Sequence, residues 1–396
     1  MNHCEKNDDD SQKNIFALGF VSFFTDLSSE MVFSLLPTFL LGLPGASTAM
    51  LGFIEGFAEA LSYALRAVSG IFSDKFRKRK PFVLAGYALS NAVKPFFAVA
   101  KVPFDVLLIR VTDRVGKAVR TSPRDALICE SVSETRRGAA FGLHRTLDQA
   151  GAIVGPVIAS AVMVMLSFTV RDVFWLSLIP GAIALFIILF FVKERASKSV
   201  GDLKLLEGVK SVLKGNFAGL LIVVGIFSLG AFNYSFVLLN AQEAGVSNSF
   251  IPLVYAVVNV AHASIAIPAG VLSDKIGKEK VMLFGYGIFL STVMMLLLLP
   301  ATGYVAVLIA LLYGAYLGVV ETVQRALIPN FVEQKLRGTA YGLYYLVVGL
   351  AFFVSNAVVG TLWDYFGSSI ASLYSVVLSA IAVLAMVLFI KKKALQ

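Results

Sequence analysis

The sequence predicts an all-α integral membrane protein, with twelve transmembrane helices in two six-helix, pseudo-symmetric bundles. Three observations carry that expectation. Hydrophobic residues make up 58% of the chain and charged residues only 15%, where soluble domains carry about 25% charged. Apolar runs of about 20 residues, each long enough to cross a bilayer as a helix, recur along the whole length. The second half also rereads the first at a fixed offset of 200 residues. Ser73-Asp74-Lys75 returns as Ser273-Asp274-Lys275, and Ala126-Leu127-Ile128 returns as Ala326-Leu327-Ile328. Arg137-Gly138 with Gly142-Leu143 returns as Arg337-Gly338 with Gly342-Leu343. A register that never slips marks a duplicated unit of about six apolar segments, and in a chain this hydrophobic a parallel repeat of that size points to a two-bundle transporter.

The apolar runs place helices over 15–42, 47–73, 81–100, 103–122, 138–168 and 172–192 in the first half. Those of the second half fall over 216–240, 248–273, 280–299, 302–324, 338–362 and 368–390. Residues 1–14 read as a cytoplasmic tail, because Asp8, Asp9 and Asp10 leave the stretch too polar to order. It lacks the positive start and short apolar core of a cleavable signal. Residues 15–192 form the first bundle, 193–215 a cytoplasmic linker, 216–391 the second bundle and 392–396 a closing tail. Within the linker, Leu203, Leu205, Leu206 and Val209 offer an apolar face beneath lysines, the pattern of a surface-lying helix. Gly42-Leu43-Pro44-Gly45 and Pro300-Ala301-Thr302-Gly303 are turn sequences, so little chain is exposed on the side opposite the linker. Two cysteines, Cys4 and Cys129, are too few for a disulfide framework or a metal cage. We expect no metal site, no cofactor and a monomer.

The formal charge of +9 raises the question of nucleic acid, and its distribution answers it. Lys75, Arg77, Lys78, Arg79 and Lys80 fall between the second and third helices. Lys193, Arg195, Lys198, Lys204, Lys210 and Lys214 fall in the linker, and Lys391, Lys392 and Lys393 follow the last helix. The opposite connections hold almost only Lys101 and Arg171. That asymmetry is the positive-inside pattern of a multi-pass protein of the plasma (inner) membrane with both termini in the cytoplasm. The expected partners are the lipid bilayer, protons and a small-molecule substrate, with no nucleic acid.

Between the second and third helices stands Gly70-Ile71-Phe72-Ser73-Asp74-Lys75-Phe76-Arg77-Lys78-Arg79-Lys80, and its repeat partner is Gly270-Val271-Leu272-Ser273-Asp274-Lys275-Ile276-Gly277-Lys278-Glu279-Lys280. Glycine admits close helix approach, the aspartate can pair with arginines or a helix end, and the basic residues hold the loop inside. The loop resembles the G-x-x-x-D-[RK]-x-G-[RK]-[RK] signature of the major facilitator superfamily, with Arg77 where the family has glycine. The resemblance implies the major facilitator fold and a gating role for Gly70, Asp74, Lys75, Lys78, Arg79, Gly270, Asp274, Lys275 and Lys278. On the fifth helix Gly151, Gly155 and Pro156 resemble the G-x-x-x-G-P signature of the family's antiporters. The other reading of these glycines is a packing face.

The fourth helix carries Arg110, Asp113, Arg114 and Lys117 at three- and four-residue spacing, hence on one stripe. A charge at the bilayer centre costs about 2.5–3.5 kcal/mol on insertion scales, so these groups need partners or a wet cavity. Arg110 stands at the arginine of the family's R-x-x-Q-G-x-G motif, with Asp113 and Arg114 replacing its glutamine and glycine. Arg120, Arg124 and Asp125 read as salt bridges at the interface. Counter-charges within the same half are Asp26 and Glu30, Glu55 and Glu59, and His144, Arg145 and Asp148. A carboxyl group whose surroundings alternate between wet and apolar changes its proton affinity, so Asp26, Glu30 and Asp148 are the proton-coupling candidates. The competing reading is permanent ion pairs that hold helices together.

In the fixed register Asp113, Arg114 and Lys117 correspond to Tyr313, Gly314 and Leu317, while His144, Arg145 and Asp148 correspond to Tyr344, Tyr345 and Val348. The first half supplies charges and the second aromatics and amides. Substrate-binding candidates are therefore Arg110, Asp113, Arg114, Lys117, His144 and Arg145, faced by Asn233, Tyr234, Asn259, Tyr313, Tyr344 and Tyr345. Glu321 and Arg325, four apart, read as a pair. The functional expectation is a proton-coupled antiporter exporting a small organic solute, drug-like or a metabolite, with an anionic or zwitterionic group. The alternatives are a symporter importing a nutrient such as a metal chelate or carboxylate, and a sensor or assembly partner on a transporter fold. An enzyme is not supported: neither a Gly-rich phosphate loop nor a nucleophile–base set is readable.

Overall fold

Long apolar runs without strand-like alternation fold as helices throughout the described residues. The computed structural model describes residues 2–76, 78–132, 136–194, 209–213, 215–333 and 336–394, without the side chains at 2–12, 66–76, 137, 210, 211, 325, 337 and 394. The first half contains α1 (Asn2–Phe33), α2 (Leu36–Leu41), α3 (Thr48–Phe76), α4 (Lys80–Val93) with a 3-10 continuation over Lys94–Val99, α5 (Pro103–Ser131), α6 (Arg137–Met165), α7 (Val170–Leu176) and α8 (Leu178–Phe191). The second half contains α9 (Val209–Val212), α10 (Gly215–Gly230), α11 (Tyr234–Glu243), α12 (Ile251–Ile276), α13 (Lys278–Leu298), α14 (Gly303–Leu327) and α15 (Arg337–Ala394).

The structure departs from the sequence expectation at two places. α1 begins at Asn2, so the backbone of the stretch read as a cytoplasmic tail is helical, where the sequence reads it as unordered. Nine helices among the described residues are long and apolar enough to cross a membrane, against the twelve expected. α3 and α5 have the length but carry too many charges. α15 reads as one run, although Gly367 (φ +82°) breaks it between the two spans expected there. Most of the 193–215 linker lies outside the described residues, as does its expected surface helix up to Gly208.

The chain divides into two units, residues 1–36 with 61–202 and residues 37–60 with 203–396. In the first unit α1 packs along α6 and α8, and α4 packs on α5 and α8. Leu18, Val21, Tyr87, Leu127 and Ile188 are buried between them. The α1–α6 contact is backbone on backbone. A Cβ on Gly151 would lie 2.2 Å from the Phe23 carbonyl oxygen, and one on Gly155 2.6 Å from that of Leu27. The antiporter-like glycines therefore have a packing role. Gly151→Leu is expected to force α1 and α6 apart and destabilise the fold by about 3 kcal/mol. Thermal melting in detergent checks this, and an unchanged melting temperature contradicts it.

In the second unit α10 packs on α15, α13 on α14 and α15, and α12 on α14. Its centre is aromatic. The Phe227 ring stacks on Tyr286 at 3.7 Å, and Phe289 meets Tyr316 at 4.7 Å. The Tyr313 hydroxyl donates to the Phe232 carbonyl at 2.7 Å. The first part of α3, residues 48–60, also belongs to this unit. A Cβ on Gly52 would lie 2.0 Å from the Asn356 carbonyl oxygen, and Thr48 Oγ1 donates to the Gly360 carbonyl at 3.1 Å.

Candidate functional site

The charged cluster of the first unit is assembled by four helices. α1 presents Ser22, Thr25, Asp26 and Ser29, whose three- and four-residue spacing gives the helix two polar edges. On one edge, Asp26 and Asp148 on α6 lie within electrostatic reach of each other. Asp148 accepts from Ser22 Oγ at 2.7 Å through Oδ1 and from Arg145 Nη1 at 2.9 Å through Oδ2. Glu30 and Lys117 are further charges within electrostatic reach of Asp26. Two carboxylates this close repel unless a proton or a cation comes between them.

On the other edge of α1, a lysine that the sequence reading passed over enters the site. Lys94 is 0% exposed. Its ammonium donates to Asn91 Oδ1 at 2.8 Å, Ser29 Oγ at 2.9 Å and the Thr25 carbonyl at 3.3 Å. Those three acceptors match its three hydrogens. Pro95 offers no N–H and the helix tightens here into its 3-10 continuation, which begins at Lys94.

The same face of α4 reaches α5. Ser90 Oγ donates to Asp113 Oδ1 at 2.6 Å, and Arg110 Nη1 stands 3.6 Å from Asp113 Oδ2. Arg110 is fully buried, with its guanidinium 3.8 Å from the centre of the Phe33 ring and that of Arg114 5.6 Å from it. A planar guanidinium gains from such a ring face when water is excluded. Arg120 lies over the Tyr87 ring at 4.2 Å, and Arg124 pairs with Asp125 at 2.8 Å. Of the stripe Arg110, Asp113, Arg114 and Lys117, for which the sequence calls for partners or a wet cavity, Arg110 and Asp113 thus have partners inside the unit. Lys117 is half-buried, His144 is buried, and Arg145 keeps 52% of its side chain exposed.

The other candidates are less concentrated. Glu55, grouped in sequence with the charges of the first half, is 2% exposed and accepts from Asn233 Nδ2 at 3.4 Å within the second unit. Asn233 caps α11 through Ser235 N at 2.9 Å and takes the Asn356 amide oxygen on its own N–H at 2.8 Å. Tyr234 stacks on Tyr255 at 4.4 Å, and Tyr344 meets Tyr345 edge-on at 5.3 Å. Asn259 and Tyr313 are buried, Tyr313 among the packed rings. Glu321 stands 4.0 Å from His262 Nε2, while the Arg325 side chain expected to pair with it lies outside those described.

Of the loop motifs, Gly70, Asp74 and Lys75 lie outside the described side chains. Lys78 is exposed. Arg79 is 4% exposed and pairs with Glu130 at 3.3 Å. Glu194 accepts from the backbone N–H groups of Arg79 and Lys80 at 2.9 and 3.0 Å, a carboxylate at the start of α4. In the second copy the Gly270 carbonyl accepts from Ser273 Oγ at 2.7 Å. Asp274 and Lys275 are exposed, and Lys278 is half-buried. Gly277 ends α12 at φ +100°, in the left-handed region that glycine enters freely, and its counterpart Arg77 lies outside the described residues.

A helical chain of repeated apolar spans with a buried ionic cluster defines the class of polytopic membrane transporters. The profile of the Major Facilitator Superfamily matches residues 18–347 and 218–395, and the chain belongs to that superfamily. An MFS-type transporter of Methanocaldococcus jannaschii is 34% identical over 383 residues, covering 95% of each chain. The multidrug resistance protein MdtH of Photorhabdus laumondii is 25% identical over 85% of this chain and 82% of its own. Among solved structures, a variant of the nucleoside transporter NupG superposes with a TM-score of 0.79 at 13% identity, over 95% of this chain and 99% of that one. That likeness is one of fold.

Proposed function

We propose that the protein exchanges protons for a small organic solute and exports it, the solute carrying an anionic or zwitterionic group. The observation that supports this reading is the placement of Asp26 and Asp148 within electrostatic reach of each other, with Arg145 on the second oxygen of Asp148. Without a shared proton the two carboxylates repel. A solute's ammonium group brought to the pair relieves that repulsion as the proton does, so the two compete, which is the requirement of exchange. Arg145, half-exposed beside the pair, is positioned to take the solute's negative group.

The zwitterion is the member of the class that this geometry favours. A purely anionic solute would bind better once protonation of Asp148 released Arg145, and would then travel with the proton. The relatives called multidrug resistance proteins support the outward direction. The test is untargeted mass spectrometry of cells and medium, comparing the intact protein with Asp148→Asn. A zwitterionic compound retained inside cells carrying the variant is the expected result. A compound left in the medium by the variant overturns export in favour of uptake.

A further inference from the structure

We infer that His144 is a proton relay, passing protons between Asp148 and the solvent at the start of α6. It rests on the proton exchange proposed for Asp26 and Asp148, and adds the route by which that proton arrives. His144 lies one helical turn before Asp148 on α6, and residues four apart on a helix share a face. It is 5% exposed, and its Nε2 is buried without a hydrogen-bond partner among the described residues. The charged groups within electrostatic reach of its ring are Arg124 and Asp125 on α5, and Arg145 and Asp148 on α6. On the α1 side, Asp26 is within reach of Asp148.

Distance makes an intermediate group necessary. Along the helix axis Asp148 lies roughly 16 Å from Arg137, the first residue of α6. Proton transfer spans one hydrogen bond, or two through a water. His144 stands only ~6 Å along the axis from Asp148. Helical side chains lean toward the helix start, so the Asp148 carboxyl overlies the turn that bears His144. The same lean brings it to Arg145, the neighbour of His144, at 2.9 Å. Beside the ring, α6 is open. Gly138 and Gly142 are exposed, and a Cβ on either would meet nothing within 4 Å. Arg145 on that side keeps 52% of its side chain exposed, and an arginine half-exposed within an apolar span needs water around it. Solvent therefore reaches the flank of His144.

A relay accepts a proton on one atom and releases one from another. Neutral imidazole does both, since one nitrogen bears a hydrogen and the other a lone pair. A proton from solvent bonds to one nitrogen while the hydrogen on the other passes to an Asp148 oxygen, and the ring, left neutral, resets by turning over. The neighbours are unsuited. Arginine does not give up its proton, and Arg124 is held by Asp125 at 2.8 Å. Thr146 Oγ1 donates to the Gly142 carbonyl at 2.9 Å. A packing histidine has its tautomer fixed by a hydrogen bond, which Nε2 of His144 lacks. The repeat supplies a control. Two hundred residues on, Asp26, His144 and Asp148 become Ile226, Tyr344 and Val348. α15 runs through Tyr344 and Val348 as helix, with Tyr344 3% exposed. The span thus forms without imidazole or carboxyl, and the three groups occur together in one half and are absent together from the other.

The test follows the proton itself and needs no solute. Purified full-length protein is held at the alkaline foot of the titration of its protonated-carboxyl C=O band, and a laser flash releases protons from a caged acid. The rise of the band times protonation of the Asp26–Asp148 pair. In His144→Gln the rise is expected to slow about a hundredfold, the low end of what a positioned acid–base group contributes. Its final amplitude should be kept, and free imidazole in the buffer should restore much of the rate while changing the parent little. A rise in His144→Gln as fast as the parent's overturns the inference. So does a slow rise that imidazole leaves slow, which would mark a structural role, or a lost amplitude at unchanged rate, which would mark an effect on the pair's proton affinity alone. No band in the intact protein overturns the exchange reading itself, and the relay with it.

Discussion

Asp148→Asn is expected to reduce solute-driven proton movement to the level of vesicles lacking the protein, while leaving the fold nearly as stable as before. The two halves of that expectation rest on different observations. Asparagine keeps the shape of the side chain and can still accept from Ser22, but it carries no titratable proton. The ion pair it removes, Arg145 to Asp148 at 2.9 Å, has a guanidinium 52% exposed, and pairs open to solvent contribute about 0–1 kcal/mol. Proton flux is read with a pH-sensitive dye in everted vesicles, using the compound that mass spectrometry identifies. Melting temperature is read on the same preparation. Retained proton flux contradicts the coupling role. A loss of several kcal/mol in stability would instead assign Asp148 to holding α1 and α6 together.

Lys94→Ala should behave in the opposite way. The ammonium is 0% exposed and satisfies the Thr25 carbonyl, Ser29 Oγ and Asn91 Oδ1 together. Alanine leaves three buried acceptors without that donor and opens space where four methylenes lay. The nearby charges on α1 and α5, Asp26, Glu30 and Asp113 against Arg120, also lose a cation from their midst. Breaking a buried charged contact of this kind costs about 3–5 kcal/mol, which for a unit of this size lowers the melting temperature by on the order of 10 °C. Lys94→Arg is expected to recover little, because a planar guanidinium does not fit a three-acceptor cage built for an ammonium. A shift of less than ~2 °C in Lys94→Ala contradicts the account of α4 as tied to α1 through this group.

The membrane class, the duplication and the helical character were legible because they depend on apolar run length and register, which are one-dimensional properties. The charged residues of α1, α5 and α6 were legible as a group, since a desolvated charge must find a partner whatever the tertiary structure. Which partner was not legible. Arg110 meets Asp113 at the three-residue spacing the sequence shows, but its contact with the Phe33 ring, from α5 to α1, is one that spacing does not specify. Glu55, grouped by sequence with the first half, meets Asn233 because residues 48–60 of α3 pack with the second unit. Lys94 was missed because nothing in the spacing of its own run names a partner for it. Its burial comes from packing against Thr25 and Ser29 on another helix. Tyr313 was legible as the counterpart of Asp113, but its hydroxyl is taken by the Phe232 carbonyl inside the aromatic core.

The proposed exchange requires one proton held between Asp26 and Asp148 in the first unit. Infrared difference spectroscopy across a pH titration of the reconstituted protein observes that proton directly, through the C=O stretch of a protonated carboxyl group. The account predicts such a band near neutral pH in the intact protein, and its loss in both Asp26→Asn and Asp148→Asn. A spectrum without a protonated carboxyl near neutral pH, or a band untouched by either substitution, would contradict it.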